Sequence, residues 1–129
     1  MILAFARTEI APGLIALAVK GSIHCGSECT QLESEVDKLI EEKCKRVILD
    51  LSSVTTMDSA AIGTVVRALR KLKGTGGDLR LACAPPLIAR SLEQTKVNKI
   101  VATFATVADA ARGFAPHGTP GASEEQTLS

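Results

Sequence analysis

The segment RVILDLSSV, beginning at Arg46, is apolar at both of its alternating positions. A strand at the edge of a sheet or with one wet face would alternate; a strand like this one belongs at the centre of a sheet, covered on at least one side. Shortly after it the chain runs IGTVVRALRKL, where Ile62, Val65, Val66, Leu69 and Leu72 recur on one helical face and Arg67, Arg70, Lys71 and Lys73 lie off it. A central strand that hands over directly to an amphipathic helix restricts the chain to layered architectures in which helices cover a sheet.

The flanking sequence continues that alternation. Residues 2–8 and 14–21 read as strands joined at Ala11-Pro12-Gly13, where proline presets a turn and glycine admits positive φ, so the chain opens with a β-hairpin. Cys29, Leu32, Val36, Leu39 and Ile40 then recur at helical spacing, with Glu28, Glu33, Glu35, Glu41 and Glu42 mostly off the stripe as a solvated acidic face. The helix after RVILDLSSV ends at Gly74-Thr75-Gly76-Gly77, and the cations in its last turns complement the negative end of the helix dipole. DLRLACA is a further strand, Pro85-Pro86 opens a short helix through about Gln94, IVATF is a last strand, and a small helix runs from about Val107 to Arg112. The resulting fold class is α/β: a single mixed β-sheet of about five strands, opening with a β-hairpin and packed with about four helices. The domain spans residues 1–114, and residues 115–129, APHGTPGASEEQTLS, lack apolar periodicity and read as a disordered C-terminal tail.

Composition narrows the function. With 15 Lys plus Arg against 14 Asp plus Glu, no net field draws the chain to nucleic acid, and 2% aromatic content leaves little surface for base stacking. No run approaches the roughly 18 uninterrupted apolar residues of a membrane helix, so direct membrane insertion is not expected and the location is read as cytoplasmic. The apolar N-terminus has no basic leader, and Arg7 interrupts it. Four cysteines, Cys25, Cys29, Cys44 and Cys83, are read as reduced, with Cys29 and Cys83 in the interior where the pattern wants a small hydrophobe. His24, Cys25 and Cys29 lack a fourth ligand at a recognisable spacing, so neither a metal nor another cofactor is implied. The glycines after the second helix follow a helix instead of preceding one and cannot cradle a phosphate.

Asp58 and Ser59 stand where the central strand gives way to a helix, a rim at which α/β folds commonly receive ligands. Either residue can cap the helix, and free first-turn amides with the positive dipole end also tolerate an added phosphate there. Catalysis is not expected. No G-x-S-x-G elbow surrounds Ser59, and of the two possible bases, His24 and His117, the second lies in the tail.

From VILDLSSV through TTMDSAAIG, the helix ending in Gly-Gly and the later run LEQTKV, the chain resembles a STAS domain of the bacterial anti-sigma-factor antagonist family, over nearly everything from Met1 to about Phe114. The Asp-Ser helix opening carries most of that resemblance. It implies that Ser59 is phosphorylated by an anti-sigma-factor serine kinase, and that the unphosphorylated protein binds this kinase so that a sigma factor is released. It further implies a partner-binding rim comprising Asp58, Ser59, Ala60, Ala61 and His24. Two departures stand out: Ala60 and Ala61 replace the family's Ser or Thr followed by Gly, and Gly21-Ser22-Ile23-His24 replaces a segment with two acids. The second function the sequence supports is a passive STAS docking subunit of a membrane assembly, such as the soluble component of a lipid-transport ABC system.

Overall fold

The computed structural model describes residues 3–24 and 26–114. The expected tail, residues 115–129, lies outside the described residues. Along the chain run β1 (Ala4–Ala11), β2 (Leu14–Ile23), α1 (Ser27–Glu41), β3 (Arg46–Met57), α2 (Ser59–Gly74), β4 (Asp78–Ala82), α3 (Pro86–Gln94), a 3-10 turn (Val97–Lys99), β5 (Ala102–Phe104) and α4 (Val107–Ala111). They form the mixed five-stranded sheet with four helices that the alternation implied. Strand order is β1-β2-β3-β4-β5, with β1 antiparallel to β2 and all later pairs parallel. The hairpin turn falls at Pro12-Gly13, where Gly13 takes φ 77°, a value a side chain would strain.

Parallel neighbours joined by right-handed crossovers place their helices on one face of the sheet. There α1 contributes Leu32, Val36 and Leu39, α2 Val65, Leu69 and Leu72, and α3 Ile88 and Leu92, against Leu17, Val19, Val47, Leu49, Leu51, Leu79 and Leu81 of the strands. The opposite face carries a smaller core of Leu14, Ala16, Ile48 and Ala82 under α4 and Phe114. Arg80 of β4 holds that cover in place: its guanidinium lies 4.2 Å from the Phe114 ring and 5.2 Å from the Phe104 ring, and donates to the carbonyls of Ala110 and Arg112. No helix among the described residues is long and apolar enough to cross a membrane.

Several local expectations are corrected. β3 continues to Met57 because it runs ahead of β2 at two irregularities, between Ala18 and Lys20 and between Gly21 and Ile23 of β2. The first resets the phase so that Leu51 and then Val54 face the core. The last strand is shorter than IVATF: Ile100 closes the 3-10 turn and is 54% exposed. Cys83 is only half-buried, since φ 62° at the end of β4 turns the chain out of the strand, whereas Cys44 is buried along with Cys29. Cys25 lies outside the described residues.

The acidic face of α1 is not simply solvated. Glu33 accepts from Lys71 of α2 at 2.8 Å and lies 3.7 Å from Arg67, while Asp37 accepts from Lys71 at 3.1 Å. The Lys71 ammonium holds the Glu33 carboxyl below its usual range and is itself held up by Glu33, then Asp37. A carboxylate with a depressed folded-state pKa adds stability that is present above its unfolded value, about 4.3, and lost as pH falls through the folded value. Because Lys71 is 39% exposed, solvent screening limits the gain. Glu33→Gln is therefore expected to lower stability by about 0.5 kcal/mol at neutral pH and by nothing measurable near pH 3. Urea unfolding at both pH values checks this, and an equal loss at both would mean that packing, not charge, was removed.

Candidate functional site

The parallel strands β2 and β3 end side by side, with Ile23 paired to Met57, and the chain turns from Met57 straight into α2. Asp58 makes that turn. Its backbone is extended (φ −93°, ψ 179°), its amide donates to the Ile23 carbonyl at 3.2 Å, and its Oδ1 accepts from the amide of Ala61 at 2.9 Å. Asp58 is thus the N-cap, stitched both to the neighbouring strand and to the third residue of the helix. Asp58→Ala removes the side-chain half of this and is expected to cost about 1 kcal/mol in urea unfolding, with Asp58→Asn recovering most of it.

Ser59 follows as the first helical residue and is exposed. Among the described residues no hydrogen bond engages its hydroxyl. Its own amide and that of Ala60 have no acceptor within the helix, because the first turn has no preceding carbonyls to offer. An exposed hydroxyl therefore stands beside amides to which the helix itself offers no acceptor, at the positive end of a helix of 16 residues.

The other expected rim residues divide. Ala60 is half-buried at the edge of the site. Ala61 is fully buried, in line with Val65, Ala68 and Leu72 on the core face. That spacing was legible in the sequence. His24 lies just beyond β2, exposed, with Nε2 2.7 Å from Thr56 Oγ1 of β3; next to it Ser22 Oγ is 2.7 Å from Thr55 Oγ1. These two pairs tie the strand ends together on the rim that carries Ser59.

A groove of about 340 Å³ opens between the first turns of α1 and α2, with Gly26, Cys29 and Thr30 on one wall and Ala60, Gly63 and Thr64 on the other. Sequence reasoning did not find it, because it exists only where two helices meet. Cys29 Sγ donates to the His24 carbonyl at 3.2 Å, tying the start of α1 to the rim. Thr64, fully buried, donates to the Ala60 carbonyl and accepts from Arg67. Another cavity, of about 370 Å³, lies near Cys83, Leu92, Asn98 and Phe104 and includes no rim residue. Among the described residues no three His, Cys, Asp or Glu side chains are grouped to hold a metal ion.

The family model for the STAS domain matches residues 6–110. A Thermotoga maritima protein named "Putative anti-sigma factor antagonist" is 27% identical over 74 residues, which are 57% of this chain and 66% of that relative's own length, just under two thirds. Among solved structures, the anti-sigma factor antagonist SpoIIAA in its unphosphorylated form superposes with a TM-score of 0.63 at 19% identity, over 83% of this chain and 94% of SpoIIAA. The phosphorylated form of the Bacillus SpoIIAA gives 0.64 at 18%, over 83% and 96%. A sulfate transporter family protein from Wolinella succinogenes gives 0.69 at 18%, over 80% and 85%. At these identities the structural likenesses show a shared fold.

Proposed function

The chain belongs to the STAS domain family, and we propose that within it this protein is an anti-sigma-factor antagonist: a partner-switching module that binds an anti-sigma-factor serine kinase and so frees a sigma factor, with Ser59 as the phosphorylated control point. The observation that carries this reading is the exposed Ser59 hydroxyl at the first position of α2, beside first-turn amides and capped by Asp58. A hydroxyl there is reachable by a kinase, and the phosphate formed would be received by helix donors with little change in the fold. The similarity to a Thermotoga protein named as an antagonist supports the class, and that to SpoIIAA, solved in phosphorylated and unphosphorylated forms, supports the switch. In this reading the rim is a binding surface, with the His24 ring, hydrogen-bonded to the Thr56 hydroxyl, as part of it.

A second function is favoured by the likeness to the Wolinella succinogenes sulfate transporter family protein. In it the same rim is a passive docking block in a membrane assembly. Incubation of the purified protein with ATP and the anti-sigma-factor kinases of its source organism, followed by peptide mass spectrometry, separates the two. The switch gives one phosphate on the peptide containing Ser59 and none on Ser59→Ala. A protein that none of these kinases modifies would favour the docking block.

A further inference from the structure

Helix α2, SAAIGTVVRALRKLKG, carries four cations and no acid. Two of the four have evident structural work. Lys71 bridges to Glu33 and Asp37, and Lys71 and Lys73 occupy the last turn, where cations meet the negative end of the dipole. Arg67 and Arg70 precede that turn, where the dipole's influence has decayed. Arg67 bonds to Thr64 at 3.0 Å but leaves 55% of its side chain in solvent, and its only acid among the described residues, Glu33, lies 3.7 Å away and is held more closely by Lys71. Arg70 is exposed, and among the described residues no hydrogen bond or ion pair engages it.

Ser59, Gly63, Arg67 and Arg70 follow one another at helical spacing along the exposed side of α2, opposite the buried stripe of Ala61, Val65, Ala68 and Leu72. Ser59 to Arg70 spans about 17 Å of helix axis, well inside one partner's share of an ordinary interface. Between them Gly63 leaves the helix bare: a Cβ built there would meet only the Arg67 guanidinium, at 3.8 Å, so another protein can approach the backbone closely.

We propose that this face of α2 is a docking ridge for an acidic surface of the protein partner, with Arg67 and Arg70 as its cationic contacts. The inference rests on the partner-switching reading of Ser59 and adds the chemistry of the partner to it. The sign of the ridge selects carboxylates, and two guanidiniums can each take a carboxylate in bidentate fashion. Two such cations, with no aromatic side chain on α2 to stack a base, fit a protein surface better than nucleic acid. The same arrangement makes phosphate an off-signal: the acidic surface that Arg67 and Arg70 attract is the surface that a phosphate on Ser59, in line with them, would repel.

The test is the association kinetics of the kinase partner with wild type, Arg67→Gln/Arg70→Gln, Arg67→Lys/Arg70→Lys and Ser59→Asp, at low and high salt, with melting curves for each. The ridge requires that the double Gln variant bind about tenfold more slowly at low salt, that this gap close at about 1 M salt, and that the double Lys variant keep most of the rate. An unchanged rate for the double Gln variant, with binding still lost in Ser59→Asp, would reduce the ridge to a solvated face while leaving the switch intact. Failure of wild type to bind the kinase would sink both. Arginine-dependent binding to RNA or to phosphatidylserine vesicles, with none to the kinase, would overturn the acidic-protein assignment.

Discussion

Ser59→Asp is expected to weaken binding of the proposed partner, an anti-sigma-factor kinase, by about ten- to a hundredfold while leaving thermal stability essentially unchanged, and Ser59→Ala to bind as wild type does. Two opposite electrostatic consequences follow from one position. Within the domain, a carboxylate at the first residue of α2 sits at the positive end of the helix beside free amides, where acids stabilise by about 0.3–1 kcal/mol. At the interface the same charge must be desolvated, and a like charge set opposite it costs several kcal/mol. Since each 1.4 kcal/mol is tenfold in affinity, one to two such units give the stated loss. Asp carries less charge than a phosphate and understates the effect of the proposed modification. Calorimetric titration and melting curves of the three proteins check this; a large fall in melting temperature for Ser59→Asp would mean that the lost binding reflected a damaged fold.

Gly77→Ala is expected to destabilise the domain by about 3 kcal/mol or more, among the larger effects of any single methyl group in the chain. After α2 the chain stops in a two-bond cap: the amide of Gly77 donates to the Leu72 carbonyl at 2.8 Å and that of Gly76 to Lys73 at 3.1 Å, with Gly76 at φ 87°. This lays Gly77 directly on the backbone before β3. A Cβ there would lie 2.0 Å from the Lys45 carbonyl oxygen and 2.8 Å from its carbon. That oxygen accepts from the Asp78 amide at 2.8 Å as β4 begins to pair with β3, so the obstacle is not a flexible side chain that can swing aside. Gly74, where an added methyl would meet nothing within 4 Å, supplies the control: Gly74→Ala should be neutral or slightly stabilising. Urea unfolding of both variants makes the comparison, and similar small effects would show that the two backbones can separate without loss.

Much of this architecture was legible because its signals are local. Periodicity in Leu32, Val36 and Leu39, and again in Val65, Leu69 and Leu72, marked the two long helices, and apolar character on both faces of Val47, Ile48 and Leu49 marked the central strand. Pro12-Gly13 marked the hairpin. What escaped depends on partners far away in sequence. Thr55 and Thr56 look like loop residues until β2 is alongside, where Ser22 and His24 pair with them and the strand runs on to Met57. Glu33 looks solvated until α2 brings Lys71 to it. Cys83 fits an apolar pattern, but left-handed backbone at the end of β4 takes it off the strand's phase. The site was legible in part. Asp58-Ser59 announced a helix start, yet adjacency in the motif also suggested Ala61 as a contact, and only its helical phase reveals that it points inward. The groove beside Ser59 and the exposed Arg70 needed the packed helices to become visible.

Central to the proposed switch is that a phosphate on Ser59 turns off binding without unfolding the domain. Calorimetric titration of the kinase with unmodified protein and with protein carrying a single phosphate on Ser59, each preceded by a melting curve, measures that directly. The expected result is matching melting temperatures and an affinity at least about a hundredfold weaker for the phosphorylated form, given a charge of about −1.5 to −2 on the rim. Equal affinity for the two forms would contradict the switch and leave the rim as a docking surface without one.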